Sequence, residues 1–178
     1  MRNIERNGTA SHVGSPPRLL RCRPSESSVR SMVWGYPLIL KSKRTGEPRK
    51  PKPVNNTRTD KLDSYMWRYS LAERRCLISF TAWVEAEGSK GGKTRTWLSL
   101  PDADLSAVAG IWRSSNEWGD CYSMVINDGA QAHDRMPVLL SPSHFSQWTE
   151  GTTDEALGLY HAWTGELELE RTKDRWTR

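Results

Sequence analysis

Cys76-Leu77-Ile78-Ser79-Phe80-Thr81-Ala82-Trp83-Val84-Glu85 is the stretch that decides the fold. Cys76, Ile78, Phe80, Ala82 and Val84 alternate with Leu77, Ser79, Thr81, Trp83 and Glu85, the two-residue period of a β-strand. Residues 94–100, 108–113, 121–127 and the short apolar run 138–140 read as further strands, with turn-forming segments at 88–92, 101–104 and 114–119. Upstream, Met32-Val33-Trp34 and Leu38-Ile39-Leu40 are split by Gly35 and Pro37, a strand and a turn. Residues 62–71 read as a short helix carrying Tyr65, Trp67 and Tyr69. Ser141-Pro142 starts a second, with a serine cap and proline at its first position, ending near Gly151. A third is expected over 153–161, with Asp154 and Glu155 in its first turn. Residues 165–171 alternate leucine with glutamate as a half-exposed strand. The expected class is α+β: a mostly antiparallel, curved or barrel-like sheet with a few short helices.

The chain of 178 residues is long enough for one domain with a real core. Residues 1–31 are rich in Arg, Ser, Pro and Gly without periodicity, so they read as a weakly ordered or divergent arm, and the domain is expected over 32–178. A net charge of +5 points towards a polyanionic partner. Nine tryptophans serve equally to pack a core or to stack on unpaired bases. Cys22, Cys76 and Cys121 are an odd set without CxxC spacing, which argues against a disulfide framework and a zinc site and favours a reducing cytoplasm. Cys76, inside an apolar run, reads as core. No apolar run reaches membrane-spanning length, and the charged N-terminus lacks the apolar segment of a signal peptide.

Site chemistry concentrates in a few blocks. Residues 41–61 hold Lys41, Lys43, Arg44, Arg49, Lys50, Lys52, Arg58 and Lys61 against Glu47 and Asp60, stiffened by Pro48, Pro51 and Pro53. Such a segment forms neither a helix nor a central strand. It reads either as a solvated linker or as an electrostatic lip for phosphates, and its direct run into Asn56 and Arg58 favours the lip. His133-Asp134-Arg135-Met136-Pro137 puts an imidazole and a guanidinium at the mouth of the buried run 138–140. Glu85 closes its own apolar strand, where partial burial raises a carboxyl pKa; Glu87 reads as an ordinary surface glutamate. An amide, a carboxylate, an imidazole and two guanidiniums suit an anionic, carbonyl-bearing substrate. Asn56 positions by hydrogen bonds, Arg58 and Arg135 fork onto phosphates, and Trp34 and Trp67 either stack on bases or join the core.

In this order the blocks resemble the SOS-response-associated peptidase (SRAP) family of abasic-site processing proteins. The matching pieces are Trp34-Gly35, Asn56-Thr57-Arg58-Thr59-Asp60, the run from Arg74 to Glu85, Ala109-Gly110-Ile111-Trp112, and His133 to Pro137. Ser79 and Ala82 depart from the family's usual proline and glycine, and the segment between Asn127 and His133 is short. The resemblance implies catalytic roles for Asn56, Glu85 and His133, expected to converge at one sheet edge, and DNA contacts for Arg58, Arg135, Trp34 and Trp67. It implies single-stranded DNA with abasic sites as partner, no cofactor or metal, a cytoplasmic monomer, and removal of the N-terminus by the protein itself.

Family members use a cysteine directly after the initiator methionine. Its amine condenses with the abasic-site aldehyde and its thiol closes a stable ring, crosslinking protein to DNA. Here position 2 is Arg2. Two expectations follow: a start further upstream that supplies the cysteine, or a non-catalytic module that keeps single-strand binding without the nucleophile.

Overall fold

The computed structural model describes residues 18–21, 28–101, 106–128, 135–161 and 163–176. The chain begins there with β1 (Arg18–Arg21), β2 (Ser28–Ser31), β3 (Val33–Trp34), β4 (Tyr36–Leu38), β5 (Lys52–Val54) and β6 (Asn56–Arg58). A single 3-10 turn and α1 (Arg68–Glu73) lead into β7 (Arg75–Phe80), β8 (Trp83–Glu87), β9 (Thr94–Ser99), β10 (Ser106–Ser115) and β11 (Gly119–Asp128). Then come β12 (Arg135–Pro137), β13 (Leu139–Leu140), α2 (Phe145–Glu150), α3 (Thr153–Leu157) and β14 (Glu168–Arg175).

The main sheet runs β12-β11-β10-β7-β1-β2, with β3 and β6 added parallel to β11 and β13 added to β10. A second sheet is β14-β9-β8, and β4 and β5 make a separate hairpin. The class is α+β with curved, mostly antiparallel sheets, and among the described residues no closed barrel forms. Curvature comes from two devices. β2 runs through buried Met32 straight into β3, which joins β11 rather than β1. Val138 bridges β10 and β11 where they part, accepting from the Ala109 N–H (2.9 Å) and donating to the Val125 carbonyl (3.0 Å).

The run from Cys76 to Glu85 is not one strand. It bends at Thr81 and Ala82, so β7 stays central in the main sheet while β8 leaves for the second. Proline tolerance explains the 41–61 segment: Pro53 lies in the peripheral hairpin, which extends to a bridge between Lys41 and Pro48, and β6 pairs only with β11. Part of the 1–31 stretch forms β1 and β2; Cys22 and the rest of residues 1–17 and 22–27 lie outside the described residues.

Two apolar clusters cover the two faces of the main sheet. One gathers Leu77, Ala109, Ile111, Val125 and Val138 beneath the helices, with Tyr36, Trp67 and Trp148. The other gathers Met32, Cys76, Ile78, Val108, Trp112 and Tyr122, and Trp83 and Met124 pack against it. Helix α2 follows Pro142 as expected, but Ser141 does not cap its backbone; the hydroxyl bonds to Ser143 Oγ and His144 Nδ1 instead. Helix α3 opens with a full capping box between Thr152 and Glu155. Among the described residues, no helix is long and apolar enough to cross a membrane.

Arg75 joins the layers. Only 7% exposed, it donates from Nε to the Trp148 carbonyl (2.5 Å), from Nη1 to the Leu71 carbonyl (2.6 Å) and from Nη2 to the Gly151 carbonyl. Trp148 answers by donating its indole N–H to the Cys76 carbonyl (2.9 Å). Burial lowers the guanidinium pKa, yet an arginine stays charged. Arg75→Met leaves these carbonyls unpartnered, so a loss of about 3 kcal/mol or more is expected in urea unfolding. A midpoint within about 0.5 kcal/mol of wild type, the ordinary range for an inconsequential surface change, would contradict this account.

Candidate nucleic-acid interface

Strand β11 is the ruler for the site. Its register pairs Tyr122 with Trp34, Met124 with Asn56, Ile126 with Arg58 and Asp128 with Arg135. Paired residues in a sheet share a face, and so do residues two apart on one strand. Trp34, Asn56, Arg58 and Arg135 therefore occupy one face, along β11 from Tyr122 to Asp128. Thr57 points the other way, where its hydroxyl and that of Ser123 share a buried hydrogen bond (2.8 Å).

Trp34 is 42% exposed, and its ring lies parallel to Tyr122 with centroids 6.5 Å apart. Its indole N–H donates to the Asn55 carbonyl (3.0 Å), which also accepts from Ser123 Oγ (3.1 Å) and the Met124 N–H (2.9 Å). Asn55 is thus the anchor of the turn, and it leaves Asn56 exposed beside it. Gly35 makes the approach possible. With φ at +116°, it lies where a Cβ would meet Pro53 Cβ at 2.6 Å.

Arg58 forks onto Asp60, Nε to Oδ1 at 2.8 Å and Nη2 to Oδ2 at 2.9 Å, with both side chains more than two-fifths exposed. Such pairs are worth about 0–1 kcal/mol. Arg135 is exposed. Trp67 is not a surface ring: 5% exposed and packed on Tyr36 at 4.7 Å between centroids, it belongs to the core, and no face is left for a base. His133 lies outside the described residues.

Glu85 sits on β8 of the second sheet, not on the edge that carries Asn56. Glu85 shares its face with Trp83, two residues before it, and Trp83 packs against the cluster that Met124, the partner of Asn56, also joins. Glu85 is half-buried, burial pushes its carboxyl pKa up, and it has no hydrogen-bond partner among the described residues. Glu87 differs from its surface reading: it is half-buried and accepts from Thr96 Oγ1 (2.6 Å) and Arg171 Nε (3.0 Å).

Sequence reasoning missed Asn127. It is 5% exposed, donates from Nδ2 to the His161 carbonyl (2.9 Å), and leaves Oδ1 buried without a partner among the described residues. Its place directly before the segment leading to His133 was the available signal. Among the described residues, no group of three or more His, Cys, Asp or Glu is placed to hold a metal ion.

A basic hairpin and an arginine-bearing face along one strand are the charge pattern looked for in a nucleic-acid interface. The chain belongs to the SOS response associated peptidase (SRAP) family, whose model matches residues 10–175, and this places it among proteins associated with the response to DNA damage. Three crystal structures are similar in fold. A protein from Bacteroides thetaiotaomicron is 17% identical, with a TM-score of 0.66 over 87% of this chain and 73% of that one. A protein from Bordetella bronchiseptica is 17% identical, with a TM-score of 0.69 over 89% and 83%. A phage-related protein from Bordetella bronchiseptica is 19% identical, with a TM-score of 0.66 over 89% and 78%. No curated protein matches the chain.

The raised Glu85 pKa has a signed consequence. A carboxyl that holds its proton more tightly when folded favours folding most below its ordinary value of 4.5 and loses that contribution as pH rises through the folded value. Glu85→Gln is therefore expected to gain stability relative to wild type as pH rises above 4.5, and to show no gain below it. Melting curves across pH that run parallel for the two proteins would remove the burial argument.

Proposed function

We propose that this SRAP protein binds single-stranded DNA at the face carrying Trp34, Asn56, Arg58 and Arg135, and handles abasic sites between that face and Glu85. The observation that carries the reading is the register of β11, which aligns a stacking ring, an amide and two guanidiniums along one strand. Phosphates take Arg135 and exchange with Asp60 for Arg58, whose exposed ion pair is weak enough to give way. Trp34 stacks on a base beside the lesion. The hairpin side chains Lys41, Lys43, Arg44, Arg49, Lys50 and Lys52 make no ion pair among the described residues, and they draw the strand in.

The abasic aldehyde carbon is the electrophile. An amine adds to it, forming a C–N bond, and the oxygen leaves as water once protonated, giving an imine. Glu85, whose carboxyl pKa burial pushes up, supplies that proton; His133 moves the amine's proton, and Asn56 holds the aldehyde oxygen. A thiol on the same residue then adds to the imine carbon, its sulfur forming the C–S bond of a ring while nitrogen takes the proton. That last step needs an N-terminal cysteine.

A second reading is single-strand binding without the ring, and the cysteine requirement separates the two. A chain starting at Met1-Arg2 is expected to give no heat-stable adduct with an abasic oligonucleotide on a denaturing gel. The same chain given an N-terminal Cys-Gly start is expected to give one, and His133→Ala or Glu85→Gln then slows its formation by about 10²- to 10⁴-fold. A stable band from the unextended chain would reject the requirement and point to Cys22.

For binding itself, single strands are expected to bind more tightly than duplex. Arg58→Ala lowers the salt dependence by about one phosphate's worth. Equal affinity for both forms, unchanged by Arg58→Ala, would reject the interface.

A further inference from the structure

A second surface combines exposed rings with unneutralised cations, away from the single-strand cleft proposed between the β11 face and Glu85. The turn of residues 62–67 continues into α1, with the Arg68 N–H donating to the Ser64 carbonyl (2.9 Å). Trp67, Ser70 and Leu71 bury one side of this segment. The other side presents Tyr65 and Tyr69, 87% and 60% exposed, the most exposed large apolar side chains among the described residues. Tyr65 lies in the turn before α1 and Tyr69 within the helix.

Each tyrosine carries an arginine on its ring. The Arg68 guanidinium lies 5.5 Å from the Tyr65 centroid, and that of Arg74 lies 5.2 Å from Tyr69 and 5.1 Å from Trp112. Neither arginine pairs with a carboxylate among the described residues, although Asp63 and Glu73 flank the segment. Cation–ring contacts hold the guanidiniums in place without cancelling their charge. Exposed π-faces interleaved with open cations are what unpaired bases and phosphates require.

The surface is also tied to the cleft. The Trp112 N–H donates to the Arg74 carbonyl (2.9 Å), Trp112 faces Tyr122 across β10 and β11, and Tyr122 faces Trp34 across β11 and β3. This lateral row spans three strand spacings, about 14 Å. Its middle members are buried, Trp112 at 6% and Tyr122 at 1% exposure, so they space the exposed ends rather than bind.

We propose that Tyr65, Arg68, Tyr69 and Arg74 form a second nucleic-acid contact, a stacking ridge for unpaired bases several nucleotides from those held at Trp34 and Asn56. This rests on the cleft being a single-strand site, and oligonucleotide length separates the two. Fluorescence anisotropy with labelled oligothymidylates of about 4 and about 16 nucleotides, the range of single-strand site sizes, supplies the test. Tyr65→Ala/Tyr69→Ala is expected to weaken the long oligomer about 5- to 150-fold, the worth of one stacked base, and to leave the short one unchanged. Tyr65→Phe/Tyr69→Phe keeps the rings and is expected to bind as wild type.

Loss of long-oligomer binding in the alanine pair, with Arg58→Ala silent, supports the ridge and rejects the cleft. Long-oligomer binding indifferent to the tyrosines rejects the ridge and spares the cleft, and no binding at either length rejects both. Equal loss on both lengths, an equal loss in the phenylalanine pair, or polyglutamate bound through the same residues would overturn base stacking as the role of this surface.

Discussion

The last turns of α1 and α2 each leave carbonyls with no helical N–H to accept, and burying such a group unpartnered costs about 1–3 kcal/mol. In this protein both sets turn towards one side chain. Arg75 points its five-donor fork at Leu71 on α1 and at Trp148 and Gly151 on α2, while its own backbone lies in β7. The positive charge suits the negative ends of both helix dipoles. Two helices are thereby locked to the central sheet by one planar group, and Trp148 secures the return contact to Cys76.

With β7 held, the positions of β10 and β11 follow, and β11 carries the site. It is the strand on which distant segments converge: β3 and β6 from early in the chain on one side, β12 from late in the chain on the other. A slip of one residue in any of these pairings would turn Trp34, Asn56 or Arg135 to the opposite face. Val138 makes β12 possible, because the parting of β10 and β11 leaves room for a strand between them.

The electrostatics are graded along this scaffold. Arg75 is buried and satisfied by carbonyls, Arg58 is exposed and loosely held by Asp60, and the hairpin lysines and arginines have no carboxylate partners among the described residues. Glu85 stands apart from all of these, half-buried without a hydrogen bond among the described residues, and burial pushes its carboxyl pKa up. That ordering of fixed, exchangeable and open cations suits a surface that exchanges anionic partners.

Sequence alone determined what local chemistry dictates. Two-residue alternation marked β7, β9, β10 and β11; Pro142 marked the start of α2, and Asp154 and Glu155 in a first turn that of α3; and Asn56, Glu85, Arg58 and Arg135 stood out as groups able to act on a charged carbonyl substrate. Tertiary structure decided everything that depends on partners far along the chain. Alternation continues unbroken through Thr81 and Ala82, so the divergence of β8 into a second sheet had no local signature. Trp34 and Trp67 are chemically alike, and only the packing of Trp67 on Tyr36 and of Trp34 at the open edge of β11 separates core from surface. Asn127 and Arg75 gained their meaning from carbonyls more than thirty residues away in the chain, because hydrogen-bond satisfaction is a property of the folded neighbourhood and not of the residue.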